Sequence, residues 1–186
     1  MIRSVVLFTH VVGVLGLFVG LGVEWLSLNA VLRSTTRDEA LVWVRLSGVL
    51  PRMMGIALAV IVASGFYLGS RIGVLGDGWM RASYAALVVM GIVGGPVTRP
   101  RMRVLIRRAE SPSDASVAHL VAAASDSVLQ ASLRVRVAFG LAVVYLMIAK
   151  PEAIDAAIVM GFALILTIVW VVSRRQAQST LATEYR

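Results

Sequence analysis

The stretch Ser4–Leu32, SVVLFTHVVGVLGLFVGLGVEWLSLNAVL, holds one imidazole, one carboxylate and no basic side chain. A helix rising about 1.5 Å per residue carries it past the roughly 30 Å hydrocarbon core of a bilayer. A run this apolar and this long is a membrane span. Being longer than the core requires, it must tilt or emerge, and Glu24-Trp25, a carboxylate beside an interfacial aromatic, marks the exit. The stretch lacks a small-residue cleavage pattern and exceeds a signal-peptide core, so it is read as a retained first helix. Gly13, Gly16 and Gly20 include a GxxxG step suited to close helix packing, within the chain or between copies.

Four more apolar stretches follow, at 51–69, 79–95, 131–149 and 153–172, separated by turn signals. SRIGVLGDGW, from Ser70 to Trp79, is a Gly-rich turn that makes its flanking spans antiparallel neighbours. GGPVTRP, from Gly94 to Pro100, reads as the stop of the third span, and Lys150-Pro151 as a tight turn. With 59% hydrophobic and 15% charged residues and a mean hydropathy of +0.86, the chain cannot hide its apolar surface as a small soluble domain. The reading is a single membrane domain over 1–186: an all-α, polytopic bundle of five transmembrane helices with short cytoplasmic amphipathic helices.

Two polar segments supply those amphipathic helices. Thr36 followed by Glu39 forms a capping box, and Ala40, Trp43, Val44, Ser47 and Leu50 recur behind it at helical spacing. This predicts a short interfacial helix, with Pro51 in the first turn of the second span, where its missing N–H costs nothing. Farther on, Ser111-Pro112-Ser113-Asp114 starts a helix with a polar stripe of Ser116, His119, Asp126, Gln130 and Arg134. That helix is expected to run straight into the fourth span. Trp25, Trp43, Trp79 and Trp170 fall near span boundaries and read as belt anchors.

The net charge of +8 follows from topology rather than from nucleic-acid binding. One orientation places Arg33, Arg37, Arg45, Arg52, the seven Arg between Thr98 and Arg136, and Arg174, Arg175 and Arg186 on one side. The other side keeps only Arg3, Arg71, Arg81 and Lys150. The positive-inside rule then puts the N-terminus outside and the C-terminus inside, in a bacterial inner membrane.

Catalytic signatures are missing. Without Cys there are no disulfides, thiolate sites or thiol chemistry, and no HxxxH, P-loop or GxSxG pattern is present. No catalytic residue, metal ligand set or cofactor is expected, and the chain reads as a non-enzyme. Ionisable groups at membrane depth are the remaining signal. Glu24 and Arg52 map to the cytoplasmic ends of the first two spans and are expected to pair. Arg134 and Arg136 enter the fourth span from the same side. One carboxylate against three guanidinium groups makes a basic vestibule, suited to a phospholipid head group or a small anion. His10, about 9 Å inside the outer boundary by the helical rise, could ligate haem or simply hydrogen-bond a neighbouring helix. His119 falls on the cytoplasmic side, so the two histidines cannot share one metal.

LFTHVVGVLGLFVGLGVEW (7–25) and RLSGVLPRMMGIALAVIVASGFYLG (45–69), with an early His, Gly-rich packing and a span ending in SGFYLG, resemble an uncharacterised family of small bacterial integral membrane proteins. That family is distantly similar to the copper-resistance protein D and protoporphyrinogen-oxidase-like membrane superfamily. In the haem-using relatives a first-helix His ligates haem b, which the resemblance would carry to His10. The chain departs from that pattern by having no second intramembrane His and no Met-rich copper site. Three readings stand at this point: an anion-binding or transport protein, a haem protein using His10, and a structural subunit packed through its Gly faces.

Overall fold

The computed structural model describes residues 1–111 and 116–184, with side chains described through Trp170. Seven α-helices make up the described chain: α1 (Ile2–Arg33), α2 (Arg37–Ile72), α3 (Gly78–Ile92), α4 (Arg99–Glu110), α5 (Val117–Ala124), α6 (Ser127–Ala149) and α7 (Ala153–Glu184). A π-helical segment, Val93–Thr98, joins α3 to α4 without a break. Among the described residues five stretches are long and apolar enough to cross a membrane: α1, α2, the continuous α3–α4 rod, α6, and α7 from Ala153 to Trp170. The protein is an all-α polytopic helix bundle.

The surface is that of a protein solvated by lipid. Phe8 is 69% exposed, Ile148 78% and Ile154 76%, which water would penalise by about 25 cal/mol for each Å² of apolar area and hydrocarbon would not. The most apolar window of α6 is 44% buried, whereas that of α7 is only 17% buried. Thus α6 is the central helix and α7 the peripheral one. Close packing of α1 on α2 is set by glycine: a Cβ at Gly20 would lie 2.5 Å from Met54 Cγ. Gly13 and Gly16 also face α2 of the same chain, so the expected Gly face is occupied within the bundle.

α1 has 32 residues and α2 has 36, or about 48 and 54 Å at the helical rise. Both overhang a 30 Å core. Their joined ends pack with α4 and α5 through Leu28, Val31, Ala40, Val44, Leu105 and Leu120 in a continuous apolar cluster. The amphipathic segments therefore build a cap over one end of the bundle.

The structure departs from the sequence pattern at three places. The segment after Thr36 is no separate interfacial helix: α2 runs unbroken through Pro51. Its buried stripe runs from Ala40 through Ser47, Leu50 and Met54 to Ile61, on both sides of Pro51. That packing offsets an interior proline's cost of about 3 kcal/mol. Thr36 does cap α2, accepting from the Glu39 N–H at 3.4 Å, while Glu39 Oε2 accepts from the Thr35 N–H at 3.3 Å.

GGPVTRP does not stop the third span either. The chain widens into π register at Val93–Thr98, the turn that holds Pro96, whose ring would crowd the carbonyl four residues back in an α ladder. The Thr98 hydroxyl closes the turn by donating to the Val93 carbonyl at 2.7 Å. Finally, α5 does not run straight into α6. Asp126 starts a fresh helix, its Oδ1 accepting from the N–H groups of Val128 and Leu129 at 2.8 and 2.9 Å. The expected start at Ser111–Asp114 falls largely outside the described residues.

Candidate functional site

Glu24 and Arg136 form the buried polar centre of the bundle. Glu24 is 1% exposed and Arg136 4%. The guanidinium grips the carboxylate with two parallel bonds, Nη2 to Oε1 at 2.7 Å and Nη1 to Oε2 at 3.0 Å. Such fork-to-fork pairs are the strong class of charge-assisted bond. Arg136 Nε donates to the Ser132 carbonyl at 3.2 Å, one turn back on α6, and Nη1 lies 3.9 Å from Met54 Sδ. Ser132 is tied to the π segment in turn: Thr98 Oγ1 lies 3.0 Å from Ser132 Oγ. The pair thus links α1 to α6, and its neighbours link both to α2 and to the π turn.

This overturns the expected pairing of Glu24 with Arg52. Successive residues of an α-helix are about 100° apart around its axis. Met54 faces Arg136, so Arg52, two residues earlier, points about 200° away. It is exposed, on the side of α2 that meets α4. The same geometry separates Arg134 from Arg136. The Arg134 guanidinium lies 3.7 Å over the Trp170 ring of α7, on another flank of α6. Of Glu24, Arg52, Arg134 and Arg136, only Glu24 and Arg136 meet.

The pair walls a cavity of about 220 Å³, bounded also by Leu17, Met54, Met90, Gly94, Thr98 and Arg99. Arg99 was not among the expected site residues. Beyond it, a groove of about 640 Å³ runs between α2 and α4, lined by Arg52, Arg99 and Arg103 with Ile56, Ala59 and Ile106. Arg99 Nη2 donates to the Pro51 carbonyl at 3.4 Å, where the two spaces meet. Among the described residues none of these three Arg has a carboxylate partner. Arg101, on another face of α4, is held by Asp126 at 3.6 Å.

His10 lies far along α1 from Glu24. Its Nδ1 is 2.9 Å from Ser64 Oγ, and the Ser64 hydroxyl itself donates to the Val60 carbonyl. Ser64 Oγ therefore accepts from Nδ1–H. The imidazole packs where a Cβ on Gly65 would sit, 3.2 Å from His10 Cε1. This is the hydrogen bond to a neighbouring helix weighed against haem ligation. His119 is exposed on α5, and among the described residues no three His, Asp or Glu side chains group as a metal site. Trp79 is buried, with Nε1 donating to Asp77 Oδ2 at 3.2 Å, so it packs the core rather than anchoring in a belt.

Comparison with protein-family models, curated proteins and solved structures finds no match to this chain.

Proposed function

We propose that the protein is a multi-pass bacterial inner-membrane protein, N-terminus outside, that holds an anionic group at the α2–α4 groove on its cytoplasmic side. One observation carries the reading: Arg52, Arg99 and Arg103 converge on one groove, with no carboxylate among the described residues to neutralise them. Guanidinium forks match phosphate and carboxylate oxygens. Exposed Ile56 beside the Arg cluster offers an apolar continuation, so the anion can be free or the head group of a phospholipid. The Glu24–Arg136 pair is neutral as a unit. It forms the inner wall of the adjoining cavity rather than the source of the excess charge.

The test is titration of inorganic phosphate into detergent-purified protein at low salt, beside native mass spectrometry with phosphatidylglycerol. Arg99→Gln should weaken whichever ligand binds by at least about tenfold, or 1.4 kcal/mol. Arg107→Gln, on the same helix but outside the groove, should change it little. Equal losses for the two variants, or binding of neither ligand, would refute the reading. Binding of phosphate alone would mark a free anion, and of phosphatidylglycerol alone a lipid.

A further inference from the structure

We infer that the α2–α4 groove seats an anionic phospholipid of the cytoplasmic leaflet, with its phosphate on the Arg cluster and one acyl chain along Gly55 and Ala59. The inference rests on the anion-site reading and names the ligand.

Depth decides between a lipid and a free anion. The short turn between α2 and α3, where Arg71 and Asp77 are exposed, lies at one membrane boundary. From Ile72 back to Arg52 is 20 residues of α2, and from Trp79 forward to Arg99 is 20 residues of the α3–α4 rod. Each length is about 30 Å at the helical rise, the thickness of the hydrocarbon core. Arg52 and Arg99 therefore stand at the opposite boundary, on neighbouring helices and at one level. Arg103 lies one turn farther out, about 6 Å along the rod, within a head-group layer about 5–7 Å deep on each side. The three guanidinium groups thus occupy the level of lipid phosphates. Arg107, about 12 Å beyond the boundary, stands clear of it.

The lining is sorted by the same depth. Gly55, Ile56 and Ala59 line the groove on the hydrocarbon side of Arg52, about 4–10 Å inward. All three are exposed, Ile56 by 61%, and none has a polar side chain. A hydrated anion finds no partner there, whereas an acyl chain needs none. The missing side chain at Gly55 admits the Arg99 guanidinium, since a Cβ there would lie 3.3 Å from Nη2. On the water side Ile106 of α4 reaches α2 at Gly48, where a Cβ would lie 3.4 Å from its Cδ1. The groove is therefore bridged toward the cytoplasm and opens sideways to lipid.

Charge selects the head group. Three guanidinium groups, with no carboxylate among the described residues to neutralise them, favour a net-anionic lipid. A zwitterionic head group would bring its ammonium against like charge. The ligand is of the phosphatidylglycerol class rather than the phosphatidylethanolamine class.

The experiment is native mass spectrometry of the full-length protein from micelles holding equal amounts of phosphatidylglycerol and phosphatidylethanolamine. A parallel titration compares dioctanoyl phosphatidylglycerol with glycerol phosphate, the same anion without acyl chains. Phosphatidylglycerol should be retained about tenfold over phosphatidylethanolamine, and the acyl chains should raise affinity by about tenfold or more. Arg99→Gln should cut phosphatidylglycerol retention about tenfold, and Ala59→Trp, which fills the apolar seat, about fivefold. The titration carries the test if Ala59→Trp does not yield folded protein. Equal retention of the two lipids, or retention indifferent to Ala59→Trp, would overturn the lipid seat. Glycerol phosphate binding that depends on Arg99 and gains nothing from acyl chains would sink the lipid and leave the anion site standing. Binding of none of these probes would remove the two together.

Discussion

Glu24→Gln breaks the buried ion pair while keeping the side chain's shape, and it turns one of the two oxygens that accept from Arg136 into a donor, so its cost combines the charge with one hydrogen bond. With donor and acceptor atoms 2.7 and 3.0 Å apart, the charge centres lie near 4 Å. Their attraction is then about 4 kcal/mol at an effective dielectric of 20. Removing one partner of a buried pair characteristically costs about 3–5 kcal/mol, because the other charge is left uncompensated. Glu24→Gln and Arg136→Gln should each destabilise by about that much, and the double variant by far less than the sum. The coupling should exceed about 2 kcal/mol. The matching cycle with Arg52 should be additive within about 0.5 kcal/mol, since Arg52 points away from Glu24. Reversible unfolding in mixed micelles, followed by tryptophan fluorescence, reads both cycles. Additive losses for Glu24 and Arg136, or strong coupling of Glu24 to Arg52, would refute the geometry.

Gly20→Val should cost about 1–3 kcal/mol by overpacking, because a Cβ there falls 2.5 Å from Met54 Cγ; the same unfolding assay reads it, and a neutral outcome would contradict the α1–α2 contact. Arg134→Gln and Trp170→Phe should each lose about 0.5–2 kcal/mol and couple to one another, as expected of a guanidinium stacked 3.7 Å over an indole. Additivity would show that the stack contributes nothing. Cysteines placed singly at Gly76 and Ser125 of this Cys-free chain should be labelled in intact cells at Gly76 only, by the positive-inside argument. Labelling at Ser125 alone would reverse the orientation.

The five spans were legible because hydropathy and length report axial depth, and depth can be counted at 1.5 Å per residue. Counting also brought Glu24, Arg52, Arg134 and Arg136 to similar levels. It could not supply rotation about each helix axis, and that separated Arg52 from Glu24 and Arg134 from Arg136. A heavier use of helical spacing could have found part of this, since residues two apart never share a face. Arg99 was missed because GGPVTRP read as the stop of the third span, whereas the π turn keeps Arg99 on a rod running beside α2. Pro51 misled by reading as the first turn of a new helix, where no N–H is needed, whereas packing along Ala40–Ile61 carries α2 through it. The break at Ser125-Asp126 was legible in principle, as Asp126 is a strong N-cap residue. Its place in an apparent polar stripe concealed that role.

Anomalous diffraction from crystals equilibrated with selenate would show an anion bound at the groove. A selenium peak is expected in the α2–α4 groove, within hydrogen-bonding distance of the Arg99 guanidinium, with Glu24 and Arg136 still paired behind it. An empty groove beside occupied sites elsewhere, or an anion seated on Arg136 in place of Glu24, would contradict it.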